Sequence, residues 1–99
     1  MIDLNLERNQ LEDISEQIRK LKKLEYLNLN FNPIKKLPEE ICELKNLIEL
    51  DLGKNSELRT LPINFYKLIK LEYLNLESVP LSAEEKRKLP KLPDDVIEY

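Results

Sequence analysis

Leucines recur along this chain in a fixed phase. Leu4, Leu27, Leu50 and Leu74 stand 27−4 = 23, 50−27 = 23 and 74−50 = 24 residues apart. Each is followed two positions later by another leucine: Leu6, Leu29, Leu52 and Leu76. The residues between and beside them are mostly polar, and this period of two predicts a strand with one buried face. After each strand the spacing changes to threes and fours. The runs are Leu11, Ile14, Ile18 and Leu21; Ile34, Leu37, Ile41 and Leu44; Leu58, Leu61, Phe65 and Leu68. Such spacings predict a helical or 3₁₀ turn that faces a core. One strand with one return segment cannot bury its apolar side alone, but stacked copies bury leucine on leucine and build a continuous core.

Four segments share the pattern L-x-x-L-x-L-x-x-N-x-L: residues 1–11, 24–34, 47–58 and 71–81. There are two departures. The third segment carries one extra residue between Asn55 and Leu58, and the fourth has Val79 in place of the asparagine. The second halves also agree, as Leu37-Pro38-Glu39-Glu40-Ile41 and Leu61-Pro62-Ile63-Asn64-Phe65. These segments resemble leucine-rich repeats of the 23-residue type found in Ras-pathway scaffolds, Scribble-like proteins and many bacterial repeat proteins. The resemblance covers nearly the whole chain. It implies an α/β repeat solenoid: a short arc with a parallel β-sheet on its concave face and helical or 3₁₀ turns on its convex face. It also implies that the concave face is the usual docking surface for a protein. On this reading residues 1–99 form a single domain with repeats at 1–23, 24–46, 47–70 and 71–81. A C-terminal cap helix and short strand occupy 82–99.

Asn9, Asn32 and Asn55 follow the strands, where the chain must turn inward. A buried turn leaves backbone groups that cost free energy unless paired, and an asparagine side chain offers both donors and an acceptor. These asparagines are expected to hold the structure, not a ligand. Pro38 and Pro62 stand near the start of the return turns, where a missing N–H does no harm, and Ser15 takes the same place as an N-cap. Near the C-terminus, Ser82-Ala83-Glu84-Glu85 reads as a capping box. Lys86, Arg87 and Lys88 follow on the cation-favouring end of that helix, and Pro90 and Pro93 close it. Val96-Ile97-Glu98-Tyr99 is strand-like. The N-terminus reads differently, since Met1 already fills the first consensus position and no cap precedes it. Leu4, Leu6, Leu11 and Ile14 then lack a neighbour on one side, and the first strand is an unpaired edge. Three explanations stand open: a longer repeat array, self-association through this edge, or shielding by Met1, Arg8, Gln10 and nearby lysines.

Composition narrows the function classes. With 16 basic and 19 acidic residues the net charge is −3, far from the basic stripe that nucleic acid demands. No apolar run is long enough to span a membrane, and residues 1–8 lack the features of a secretory signal. The single cysteine, Cys42, forms no internal disulfide, which points to a reducing compartment, the cytosol. The chain has no histidine, so Ser-His and Cys-His nucleophilic arrangements and His-bearing metal sites are excluded. Glu39-Glu40, Glu84-Glu85 and Asp94-Asp95 fall at turns and helix starts, where capping explains them. Gly53 is the one glycine, so there is no phosphate-cradling loop. No enzymatic activity, cofactor or metal is expected.

What remains is the outward face of the predicted sheet. Its rows read Asp3, Tyr26, Glu49 and Tyr73; then Asn5, Asn28, Asp51 and Asn75; then Glu7, Asn30, Gly53 and Glu77; and at the edge Arg8, Phe31, Lys54 and Ser78. Two tyrosines and a phenylalanine on a polar face are of the types enriched in interface hot spots. Five carboxylates against two cations make the face acidic, while Arg19, Lys20, Lys22, Lys23, Lys35, Lys36 and Lys45 gather in the return segments. The candidate binding residues are therefore Asp3, Asn5, Tyr26, Asn28, Phe31, Glu49, Asp51, Tyr73, Asn75 and Glu77. The expected partner is a protein with a basic patch, and phosphates of a nucleic acid would be repelled.

Overall fold

The computed structural model describes residues 2–99, so Met1, the first consensus position of the sequence pattern, lies outside the described residues. Five short strands run parallel in one sheet: β1 (Asp3–Asn5), β2 (Tyr26–Asn28), β3 (Glu49–Asp51), β4 (Tyr73–Asn75) and β5 (Ile97–Glu98). They pair in chain order, and the register aligns Leu4, Leu27, Leu50, Leu74 and Ile97 across the sheet. Strands this short would not hold by themselves. The pairing continues past their ends, where Leu6, Leu29, Leu52 and Leu76 donate N–H bonds of 2.7–2.9 Å to the carbonyls of Asn28, Asp51, Asn75 and Glu98 on the next unit. Ahead of the strands, one carbonyl serves two successive donors. Ile2 accepts from Glu25 and Tyr26, Glu25 from Ile48 and Glu49, and Ile48 from Glu72 and Tyr73.

The return segments are 3₁₀ helices at Glu16–Lys20, Glu39–Glu43 and Ile63–Lys67, each five residues long. Their inward positions, Ile18, Ile41 and Phe65, are buried against the strand leucines. Ser15 caps the first, its hydroxyl accepting the Gln17 N–H at 3.0 Å, while Pro38 and Pro62 occupy that place in the next two. Leu27, Leu29, Leu50, Leu52, Leu74 and Leu76 are 2 % exposed or less. Their first-repeat counterparts Leu4 and Leu6, with Leu11 and Ile14, pack against the core but are only partly buried.

The asparagine ladder forms as the polar pattern predicts. Asn32 Nδ2 donates to the carbonyls of Leu6, Leu29 and Asn30, and its Oδ1 accepts from the N–H groups of Asn9 and Leu11. Asn55 repeats this one unit on, donating to Leu29, Leu52 and Gly53 and accepting from Ile34. Asn9 differs. It is exposed, and among the described residues its amide reaches only the Glu7 carbonyl.

The C-terminal helix α1 spans Ala83–Lys86 and ends before Pro90. Only half of the expected capping box is present. Ser82 Oγ accepts the Glu85 N–H at 3.1 Å, but the Glu85 carboxylate turns away from Ser82. It accepts the Leu61 N–H at 2.8 Å and the Lys88 ammonium at 2.9 Å, and Lys88 also donates to the Leu61 carbonyl. In the first two repeats the corresponding backbone is paired instead, by a parallel bridge between Asp13 and Lys36. The Glu85–Lys88 pair thus supplies to the third unit the donor and acceptor that backbone supplies earlier.

Candidate protein-binding face

The strand alternation that buries the leucines turns the residues on either side of them outward, so the register decides which of them meet. Tyr26, Glu49 and Tyr73 lie side by side on β2, β3 and β4, with Asp3 at the β1 end of the row. The row beside it reads Asn5, Asn28, Asp51, Asn75 and, on β5, Glu98. An open depression of about 440 Å³ is lined by Asp3, Asn5, Tyr26, Leu27, Asn28, Glu49, Asp51 and Tyr73. Seven of the ten candidate residues therefore share one concavity. A larger groove of about 1040 Å³ runs along the flank of the return segments, past Leu37, Pro38, Leu61, Pro62, Ile63 and Lys88. There the Leu61 backbone is already occupied by Glu85 and Lys88.

The other three candidates lie elsewhere. Phe31 stands on the turn after β2 at φ 59°, 52 % exposed, with the Arg8 guanidinium 5.2 Å from its ring centre. Asn75 is buried, and Glu77 follows it in the turn. The second row has a structural task as well. The side-chain oxygens of Asn5, Asn28, Asp51 and Asn75 each accept the backbone N–H two residues on, at 2.9–3.0 Å. This closes a tight turn that carries Arg8, Phe31, Lys54 and Ser78 into left-handed backbone at φ 58–63°. Such a φ costs a non-glycine residue about 1–2 kcal/mol. Arg8, Phe31 and Lys54 offset it by donating their N–H groups to the next unit at Asn30, Gly53 and Glu77. Asn30 further donates to Asp51, and Asn28 to Glu7. A Cβ on Gly53 would stand 2.7 Å from the side-chain amides of both Asn30 and Asn75, so both amides would have to shift to admit it.

The outermost carboxylates are left to solvent. Among the described residues four ion pairs form, and only Arg8–Glu7, at 3.6 Å, touches this face. Among the described residues, Asp3, Glu49, Asp51, Glu77 and Glu98 have no cation within ion-pair distance. Four of them act on Tyr73, whose hydroxyl is raised above its ordinary range first by burial and then by Glu98, Asp51, Glu49 and Glu77. Glu98 was absent from the sequence-derived set. The signal for it was there, because Ile97 follows Leu74 by 97−74 = 23 residues and so places Glu98 in the row of Asn75.

Cys42 lies away from this face on the second 3₁₀ turn, 4 % exposed, its thiol pushed up to about 12 by burial and by Glu39. It is an inert packing group.

A sequence profile described as a leucine-rich repeat region matches residues 2–94. Among solved structures, a leucine-rich repeat protein of Leptospira interrogans is 38 % identical and superposes with a TM-score of 0.88. That match covers 100 % of this chain and 25 % of the Leptospira chain, so the present chain spans about a quarter of that relative's length. No curated protein matches the sequence significantly. The in-phase leucines, the buried asparagine ladder, the parallel sheet and these two matches agree, and the chain belongs to the leucine-rich repeat family.

Proposed function

We propose that this chain is a protein-interaction module that docks a protein partner on the acidic, tyrosine-bearing face of its sheet. The family supports an interaction role in general, and its members are typically non-enzymatic scaffolds. One observation carries the finer reading. Two half-buried tyrosines stand among carboxylates that form no internal ion pair among the described residues. A partner with a basic patch would supply the missing charge and gain tyrosine contact area. The same field disfavours nucleic acid. Asp3, Glu49, Tyr26 and Tyr73 form the contact centre of this proposal, with Asn5, Asn28 and Asp51 beside them and Phe31, Asn75 and Glu77 at its rim. The cytosolic setting read from the single thiol belongs to the same proposal.

The test is affinity capture by the parent chain and by the Tyr26→Ala/Tyr73→Ala double variant, once both are shown to fold. A partner held by the parent and lost by the variant is the expected result. Equal capture by a folded variant would sink the proposal.

A second reading has its own support. Ile2 is 53 % exposed, and Leu4, Leu6, Leu11 and Ile14 are only partly buried beside the open edge of β1. Such an edge suits another repeat unit or a second copy of the chain. In that reading the chain is an assembly unit, or part of a longer scaffold of the Leptospira kind.

A further inference from the structure

The register sets a carboxylate between two aromatic rings. Tyr26, Glu49 and Tyr73 are direct neighbours across β2, β3 and β4, and all three line the depression on the open face. Neighbouring strands lie about 4.8 Å apart, so the backbones of the two tyrosines stand about 10 Å apart with that of Glu49 midway, and their side chains project side by side. A flat cation entering between the rings would lie about 5 Å from each, inside the roughly 6 Å reach of a cation–π contact. Elsewhere in this molecule such contacts are already filled from within. Arg8 lies over Phe31 at 5.2 Å and Lys86 over Tyr99 at 4.8 Å. Among the described residues no cation covers Tyr26 or Tyr73, and no ion pair engages Glu49.

We infer that the Tyr26–Glu49–Tyr73 row is a slot for the guanidinium of an arginine carried on an extended segment of the protein partner. The inference rests on the docking face proposed above and names the chemistry that face takes. The plane of a guanidinium stacks on aromatic rings while its forked donors pair with a carboxylate, which an ammonium does less well. Glu49, exposed between the two half-buried tyrosines, is the charged partner in the slot, and Asp51 beside it keeps one oxygen for its own turn, accepting from Gly53 and Asn30. The carboxylates that, after burial, raise the Tyr73 hydroxyl above its ordinary range also favour a cation at this point.

The test uses the whole chain and four peptide pools of about twelve residues. Each pool has randomised flanks and one fixed central residue: arginine, lysine, citrulline or glutamine. Binding is read from amide shifts of β2, β3 and β4. The arginine pool is expected to shift Tyr26, Glu49 and Tyr73. Citrulline, which keeps the shape and loses the charge, should bind at least about tenfold more weakly, and salt near 0.5 M should weaken the arginine pool. Glu49→Gln should abolish the preference for arginine over citrulline. Tyr26→Leu/Tyr73→Leu, which keeps apolar cover over the leucines, should abolish the shifts. Equal shifts by arginine and citrulline pools would overturn the slot while leaving the docking face in place. No shift from any pool would overturn the slot as well, and the face would then stand or fall on the capture experiment alone. Lysine binding as tightly as arginine would overturn the assignment to a guanidinium.

Discussion

At the scale of single residues, the asparagine ladder is the most exposed point of the design. Asn55 is fully buried and satisfies three carbonyls and one N–H at once. Asn55→Ala leaves those groups without partners, and we expect a loss of about 2–4 kcal/mol in urea unfolding. Asn9→Ala removes one exposed bond and should cost less than about 0.5 kcal/mol. The pair forms a control, because the two residues hold the same consensus position. Cys42 offers a second residue-scale check. With a thiol held near 12, on the order of 10⁻⁴ of it is thiolate at pH 8. Native protein should resist iodoacetamide under conditions where urea-unfolded chain reacts readily. Rapid native alkylation would contradict the burial of that turn.

At the scale of elements, three-residue strands persist because every unit borrows backbone hydrogen bonds from the next, and in the return segment of the third unit Leu61 takes its bonds from side chains. The Glu85–Lys88 clasp takes up both backbone groups of Leu61. Glu85 is held below the 4.5 of an unpaired glutamate, first by its bond from Lys88 and then by the Leu61 N–H. A lowered folded value means that the folded state binds the proton less readily than the unfolded chain. The contribution of the clasp is therefore present above about pH 4.5 and is lost as pH falls through the folded value. Glu85→Gln should shallow the acid limb of the stability curve below that pH. An unchanged acid limb would assign acid unfolding to other carboxylates. The sequence spacing showed the helix start at Ser82 and Glu85 but not the clasp, because Leu61 lies 85−61 = 24 residues away and only stacking brings it near.

At the scale of the whole molecule, size limits what the sheet face does alone. The chain measures 33 × 28 × 21 Å. The strands of the four repeats, each about five residues long with its extensions, present a face on the order of 300 Å² in projection, against about 800 Å² per partner in stable complexes. Binding through this face should be weak, fast to exchange and sensitive to salt, which titration at two ionic strengths will check. The open β1 edge gives a separate whole-molecule test. If the edge is an assembly surface, the chain should self-associate as concentration rises in sedimentation velocity. Substitutions at the exposed Arg8 or Gln10 should then shift that equilibrium without unfolding the chain. A monomer at every concentration would remove self-association and leave a neighbouring repeat as the alternative.

What the amino-acid sequence determined by itself is the repeat. The in-phase leucines set the strand period, the threes and fours set the return turns, and the asparagine positions set the ladder, because each is a local pattern repeated in phase, the leucines four times and the return runs and asparagines three times. Their agreement leaves one way to bury leucine on leucine. The tertiary structure decided the rest. Only stacking shows that Asn5, Asn28, Asp51 and Asn75 spend their oxygens on their own turns, since that depends on a backbone bend and not on residue type. The repeat spacing already placed Glu49 in a row between two tyrosines that are 47 residues apart in sequence (73−26 = 47), and the parallel register makes them direct neighbours, while the pairing of the fifth strand brings Glu98 onto the same face. Side chains that meet across repeats are neighbours in space because of the parallel pairing, and the pairing is a property of the assembled sheet.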